Sequence, residues 1–147
     1  SRQSGINTPP EMTARSYLAY GKAGAMSTDT DYELFTLNGA DNGMGVTMIR
    51  DGILTGISAS LDNTLTSPGS TTGYLDIYVY LKGVQQVSTK LEVVNTGPTP
   101  NEWYNVFSTP IPFEAKDTIG CHAIKRKVGT GSGGSVDDLA VLVEIMT

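Results

Sequence analysis

Residues 74–82 read Tyr74-Leu75-Asp76-Ile77-Tyr78-Val79-Tyr80-Leu81-Lys82. Leu75, Ile77, Val79 and Leu81 alternate strictly with Tyr74, Asp76, Tyr78, Tyr80 and Lys82, the two-residue period of a strand with one face in a core. One face is aliphatic and the other tyrosine-rich. Lys82-Gly83 follows as a hairpin turn, Gly83 supplying a positive φ, and leads into Val84–Val87 and then Leu91–Val94. Near the carboxyl end the period returns: Leu139, Val141, Val143 and Ile145 share one side of a closing strand.

The same rhythm extends outward. Ile53, Ile57, Ala59 and Leu61 are in phase, and further β-type runs fall at 16–22, 33–37, 46–49, 103–107 and 118–124, separated by Gly, Asn, Asp, Pro and Ser clusters. About eight or nine short strands is the number found in an antiparallel jelly-roll or related Greek-key β-sandwich. No window carries a capped helical period, and no repeat recurs at a solenoid spacing. Residues 1–15 are polar, contain Pro9-Pro10 and follow neither period, so they are read as an extended arm preceding a sandwich domain at 16–147.

The totals restrict function. At 147 residues one domain can hide about 68–70% of the unfolded chain's surface, enough for a core without staples. One cysteine, Cys121, excludes an intrachain disulfide and a cysteine-based metal cluster. The net charge of -5 argues against a nucleic-acid partner, which would need clustered cations. The single basic run, Lys125-Arg126-Lys127, reads as a solvated strand end. No run approaches the roughly 20 apolar residues of a membrane helix, and the first residues lack the apolar core of a secretory leader. No membrane insertion is expected. A start at Ser1 fits a chain trimmed of its initiator methionine, and fits an excised fragment equally.

Catalytic chemistry is not evident. His122 is the only histidine and follows Cys121 directly, but strand neighbours face opposite ways, giving a core thiol beside a surface imidazole and no nucleophile–base pair. The run from Gly129 to Gly134 lacks the following helix that a phosphate-cradling loop requires. Asp29 and Asp31, with Glu33, offer oxygens to a calcium ion, short of the roughly six to eight it takes. Asp51, Asp62, Asp76, Asp117 and Glu144 are spread over strand ends and exposed faces, unpaired by anything in the sequence. No enzyme activity, cofactor or bound metal is expected. Tyr74, Tyr78 and Tyr80, with Trp103-Tyr104 elsewhere, supply rigid amphipathic area suited to a subunit contact, although aromatics are enriched in sheets generally.

Several segments are also familiar as a set. Ser16-Tyr17-Leu18-Ala19-Tyr20-Gly21, Tyr32-Glu33-Leu34-Phe35, Met48-Ile49-Arg50-Asp51-Gly52 leading into Leu54-Thr55-Gly56-Ile57-Ser58, Val79-Tyr80-Leu81-Lys82-Gly83-Val84, and Pro112-Phe113-Glu114-Ala115-Lys116-Asp117-Thr118-Ile119 run through most of the chain after the arm. Together they resemble small tumour-necrosis-factor-like jelly-roll domains of tailed-phage virion proteins, of the head-decoration or fibre-tip type. Locally, Arg50-Asp51-Gly52 reads as a turn launching a core strand, and the stretch from Phe113 to Asp117 as a corner that drops Phe113 inward. The sequence departs from the usual form at Lys82, where asparagine is common, and at Lys116, where glycine is common.

The resemblance implies a homotrimer on a virion surface, bound either to a capsid protein or to a host surface receptor. The short arm and the start at Ser1 favour a decoration protein gripping the capsid, with Arg2, Ile6, Pro9 and Pro10 of the arm contacting the capsid or, in a fibre, the shaft. A receptor-binding fibre tip is the alternative, and a carbohydrate-binding or carbohydrate-active sandwich a third. Tyr74, Tyr78 and Tyr80 are the expected subunit contact.

Overall fold

The computed structural model describes residues 14–36, 45–66, 69–95 and 102–147. The arm residues Arg2, Ile6, Pro9 and Pro10 lie outside them. Eleven strands are present among the described residues: β1 (Arg15–Ala25), β2 (Asp31–Glu33), β3 (Phe35–Thr36), β4 (Val46–Thr47), β5 (Gly52–Asn63), β6 (Thr72–Leu81), β7 (Val84–Gln85), β8 (Leu91–Val94), β9 (Glu102–Phe113), β10 (Thr118–Val128) and β11 (Val136–Met146). One sheet runs β3-β1-β11-β5-β9; the other runs β2-β10-β6-β7, with β4 also on β10 and β8 also on β6. All strand pairs are antiparallel. The chain crosses repeatedly between the two sheets, and its first and last long strands lie side by side within one of them. This is an all-β sandwich of jelly-roll type.

The aliphatic faces predicted from period two meet in the middle. Leu75, Ile77 and Val79 of β6 are fully buried, as are Val141 and Val143 of β11, and Leu139 and Ile145 lie beside them. Each such side chain contributes about 1.5–3 kcal/mol relative to an exposed position. Cys121 sits in this core, where burial pushes its thiol far above the ordinary range. Tyr20 is also buried, its hydroxyl donating to the Ile119 carbonyl oxygen across the sandwich.

Several local readings are corrected. In β5 it is Leu54, not Ile53, that is fully buried, because a register shift between Leu54 and Gly56 resets the phase before Ile57. The run expected at 33–37 is cut at the buried Leu34, whose N–H reaches the Cys121 carbonyl, so that β2 and β3 belong to different sheets. Val84–Val87 is a strand only to Gln85, after which a 3₁₀ turn spans Val87–Thr89. The run at 103–107 continues through Pro110 and Pro112 to Phe113, which an outermost strand tolerates.

The Lys82-Gly83 hairpin has φ of 54° and 76° at its two residues, the left-handed pair of a type I′ turn. Lys116 has φ 78°. Both departures from the usual sequence pattern thus fall where an L side chain is strained.

Candidate functional site

Each sheet has an outer face, and the two are built from different chemistry. On the six-stranded sheet, the outer row of β6 is Tyr74, Asp76, Tyr78 and Tyr80, all but Asp76 half-buried. Opposite it on β10 come Arg126, Ile124, His122 and Gly120. Gly120 carries no side chain, so His122 leans across onto Tyr80, the rings stacked with centroids 3.6 Å apart and 11° between planes. His122 Nδ1 is held from the other side by Asp31 of β2, 3.1 and 3.3 Å from its two carboxylate oxygens.

At the far end of the row, the Arg126 guanidinium lies 3.8 Å over the Tyr74 ring. Its Nε donates to Asp76 Oδ2 at 2.5 Å and its Nη2 to Glu92 Oε2 at 2.7 Å. Lys90 Nζ adds contacts of 3.8 Å to Asp76 Oδ1 and 3.5 Å to Glu92. Burial acts to lower the Arg126 pKa, but the hydrogen bond to Asp76 and the charges of Asp76 and Glu92 outweigh it and raise it. Asp76 is only 4% exposed. These findings correct two expectations: Asp76 is buried and paired, and the basic run is no solvated strand end. Lys125 is 5% exposed, its Nζ donating to Thr28 Oγ1 at 2.9 Å. Arg126 binds the two carboxylates, and only Lys127 is exposed, donating to the Gly131 carbonyl at 2.6 Å. The sequence did carry a partial signal for the cluster, because Asp76 and Glu92 each hold a polar position between apolar neighbours. Which carboxylates Arg126 would meet depended on a strand pairing 50 residues apart.

On the five-stranded sheet the outer face is apolar and small. One rung across it is Ala19, Leu142, Ser58 and Tyr104; the next is Tyr17, Glu144, Gly56 and Val106. Tyr104 is 77%, Val106 69%, Tyr17 57% and Leu142 43% exposed. Two shallow grooves of about 530 and 510 Å³ run along the small residues, one over Ser58, Ser60 and Ala140, the other over Gly21, Phe35 and Thr36. The single carboxylate in these two rungs, Glu144, accepts from Thr55 Oγ1 at 2.7 Å, Arg15 Nη1 at 3.0 Å and the Tyr17 hydroxyl at 3.1 Å. The Thr55 hydrogen bond is the main cause holding Glu144 below the ordinary carboxylate range, and the bond to Glu144 raises the Tyr17 hydroxyl.

The remaining sequence candidates are dispersed. Cys121 and His122 face opposite sides of β10, as strand geometry requires. Asp29 forms a turn with φ 62° and Asp31 turns to His122; among the described residues no three His, Cys, Asp or Glu side chains converge as a metal site. The loop at 129–134 enters β11, its Gly131 N–H donating to Thr71 Oγ1 at 2.8 Å. Asp51 and Asp117 brace the Phe113 corner by accepting from the Ala115 and Glu114 N–H groups. No protein-family model matches the chain, and no curated protein matches it significantly.

Proposed function

We propose that this chain is a non-enzymatic structural component of a virion surface, a jelly-roll domain that assembles as a homotrimer and decorates a capsid through its amino-terminal arm. One observation carries the self-association: the outer face of the five-stranded sheet, where Tyr17, Tyr104, Val106 and Leu142 surround a floor of Ala, Ser and Gly residues. Apolar area of this kind marks a protein contact, and a closed symmetric arrangement of identical copies buries it. The small floor residues let a neighbour approach closely. We put the contact on this sheet in preference to Tyr74, Tyr78 and Tyr80, which are half-buried within their own chain. The virion setting rests on the resemblance carried by the segments from Ser16 to Ile119.

Light scattering behind a sizing column tests the assembly. A species of three chains is expected, falling to one chain in the double substitution Leu142→Lys, Tyr104→Ser. A monomeric native protein at micromolar concentration would remove the proposal. The virion role is tested by mixing the trimer with capsids stripped of their surface proteins: cosedimentation is expected, lost when residues 1–13 are deleted while the trimer persists. Binding to host cells without binding to capsids would transfer the same trimer to a fibre tip.

A further inference from the structure

The outer row of β6 presents one combination of groups twice. At one end, Tyr74 with Asp76 and Glu92 holds a guanidinium, that of Arg126. At the other end, Tyr78 and Tyr80 stand beside Asp31 and Glu33, which project from the outer side of β2 in register with Ile124 and His122. Here Asp31, Tyr78, Tyr80, Gln85, His122 and Ile124 enclose a depression of about 140 Å³. Among the described residues no lysine or arginine pairs with Asp31 or Glu33. Lys22 lies instead over the Tyr32 ring at 4.9 Å and donates to the Ala23 and Ala25 carbonyls. The Tyr80 hydroxyl is raised first by burial and then by the neighbouring Asp31, Tyr78 and Glu33.

We propose that this depression binds the guanidinium of an arginine side chain presented by a protein partner. A guanidinium is planar and weakly hydrated, so it stacks on a tyrosine face while its fork of donors meets a carboxylate. Arg126 does both at the neighbouring position of the same row, with the same residue types. His122 fixes Asp31 through Nδ1, and a carboxylate retains acceptor sites beyond that bond. The side chain of Asp31 is 56% exposed, so the acceptor is open to an incoming donor. Gln85 lines the rim. A lysine ammonium carries the charge but lacks the plane. The site lies on the sheet opposite the face proposed for self-association, so it is accessible in one chain or three, and it does not depend on that reading.

Titration with N-acetyl-arginine methylamide at fixed pH tests it, read from the ring resonances of His122, which are unambiguous because it is the only histidine. A saturable shift is expected. Affinity should fall at least about fivefold with the uncharged citrulline analogue, and for Asp31→Asn and Tyr78→Leu, each checked for an unchanged unfolding transition. The lysine analogue should bind more weakly than arginine. Absence of a saturable shift, equal binding of citrulline or lysine, or undiminished affinity in folded Asp31→Asn would each overturn the assignment.

Discussion

The two outer faces each hold a carboxylate on a long central strand, and they treat it differently. Asp76, on β6, is almost wholly enclosed and tied to Arg126, whose guanidinium is also spent on Tyr74 and Glu92. Glu144, on β11, stays partly open and is met by a hydroxyl, a phenol and an exposed arginine, in the middle of a surface whose large apolar side chains touch little. On the first face the chain satisfies itself over part of its area, and the polar groups belong to the stability of one subunit. On the second, the area left to water is what a neighbour would cover.

Removing the pivotal group of each face should separate these roles. Arg126→Ala strands a buried carboxylate, with Lys90 at 3.8 Å as its remaining cation, and is expected to cost about 2–3 kcal/mol in urea unfolding, somewhat below a fully buried pair because the arginine is partly exposed. A loss under 1 kcal/mol would show that the first face is not self-contained. A pair outside both faces calibrates the scale: Lys116→Gly and Lys82→Asn relieve left-handed strain and should raise stability by about 0.5–1 kcal/mol each, read from the unfolding midpoint.

Glu144→Gln should have a smaller effect, about half a kcal/mol or less at neutral pH. Its sign with pH is fixed. The folded-state pKa lies below the unfolded one, so the stabilisation is complete above the ordinary carboxylate range and disappears as the pH falls through the depressed value. The native-minus-mutant difference should therefore shrink on acidification; a difference that grew would contradict the hydrogen-bond assignment. Smallest of all, Leu142→Lys should leave the unfolding of an isolated subunit within about 0.5 kcal/mol, as expected for an exposed position. A large loss would mean that the apolar face is integral to the single chain and would dissolve the contrast.

How much of this was legible beforehand follows from the range of each interaction. Alternation in Tyr74–Lys82 and Leu139–Ile145 is local, and it placed Leu75, Ile77, Val141 and Val143 inside correctly. The opposed directions of Cys121 and His122 followed from the same rule. Phase failed where the backbone slips, as between Leu54 and Gly56, because a bulge is settled by the partner strand and leaves no mark in a two-residue count. The ionic cluster needed the register that sets Tyr74 against Arg126 and Asp76 against Glu92. The tyrosine row was visible from the sequence, but how much of it Arg126 and His122 would cover was not. Tyr104 and Val106 went unremarked as a pair because an outward apolar residue on an outermost strand has no local signature.

The pairing of β1 with β11 sets Arg15 against Met146, and the Thr147 N–H reaches the Ala14 carbonyl. Antiparallel strands anchored at the same end open like a zipper when their tips are drawn apart, one rung at a time, whereas strands gripped at opposite ends must shear every rung together. Tension applied between Ala14 and Thr147 would therefore peel the sandwich at low force, and a handle placed at the loop between β10 and β11 would meet far greater resistance.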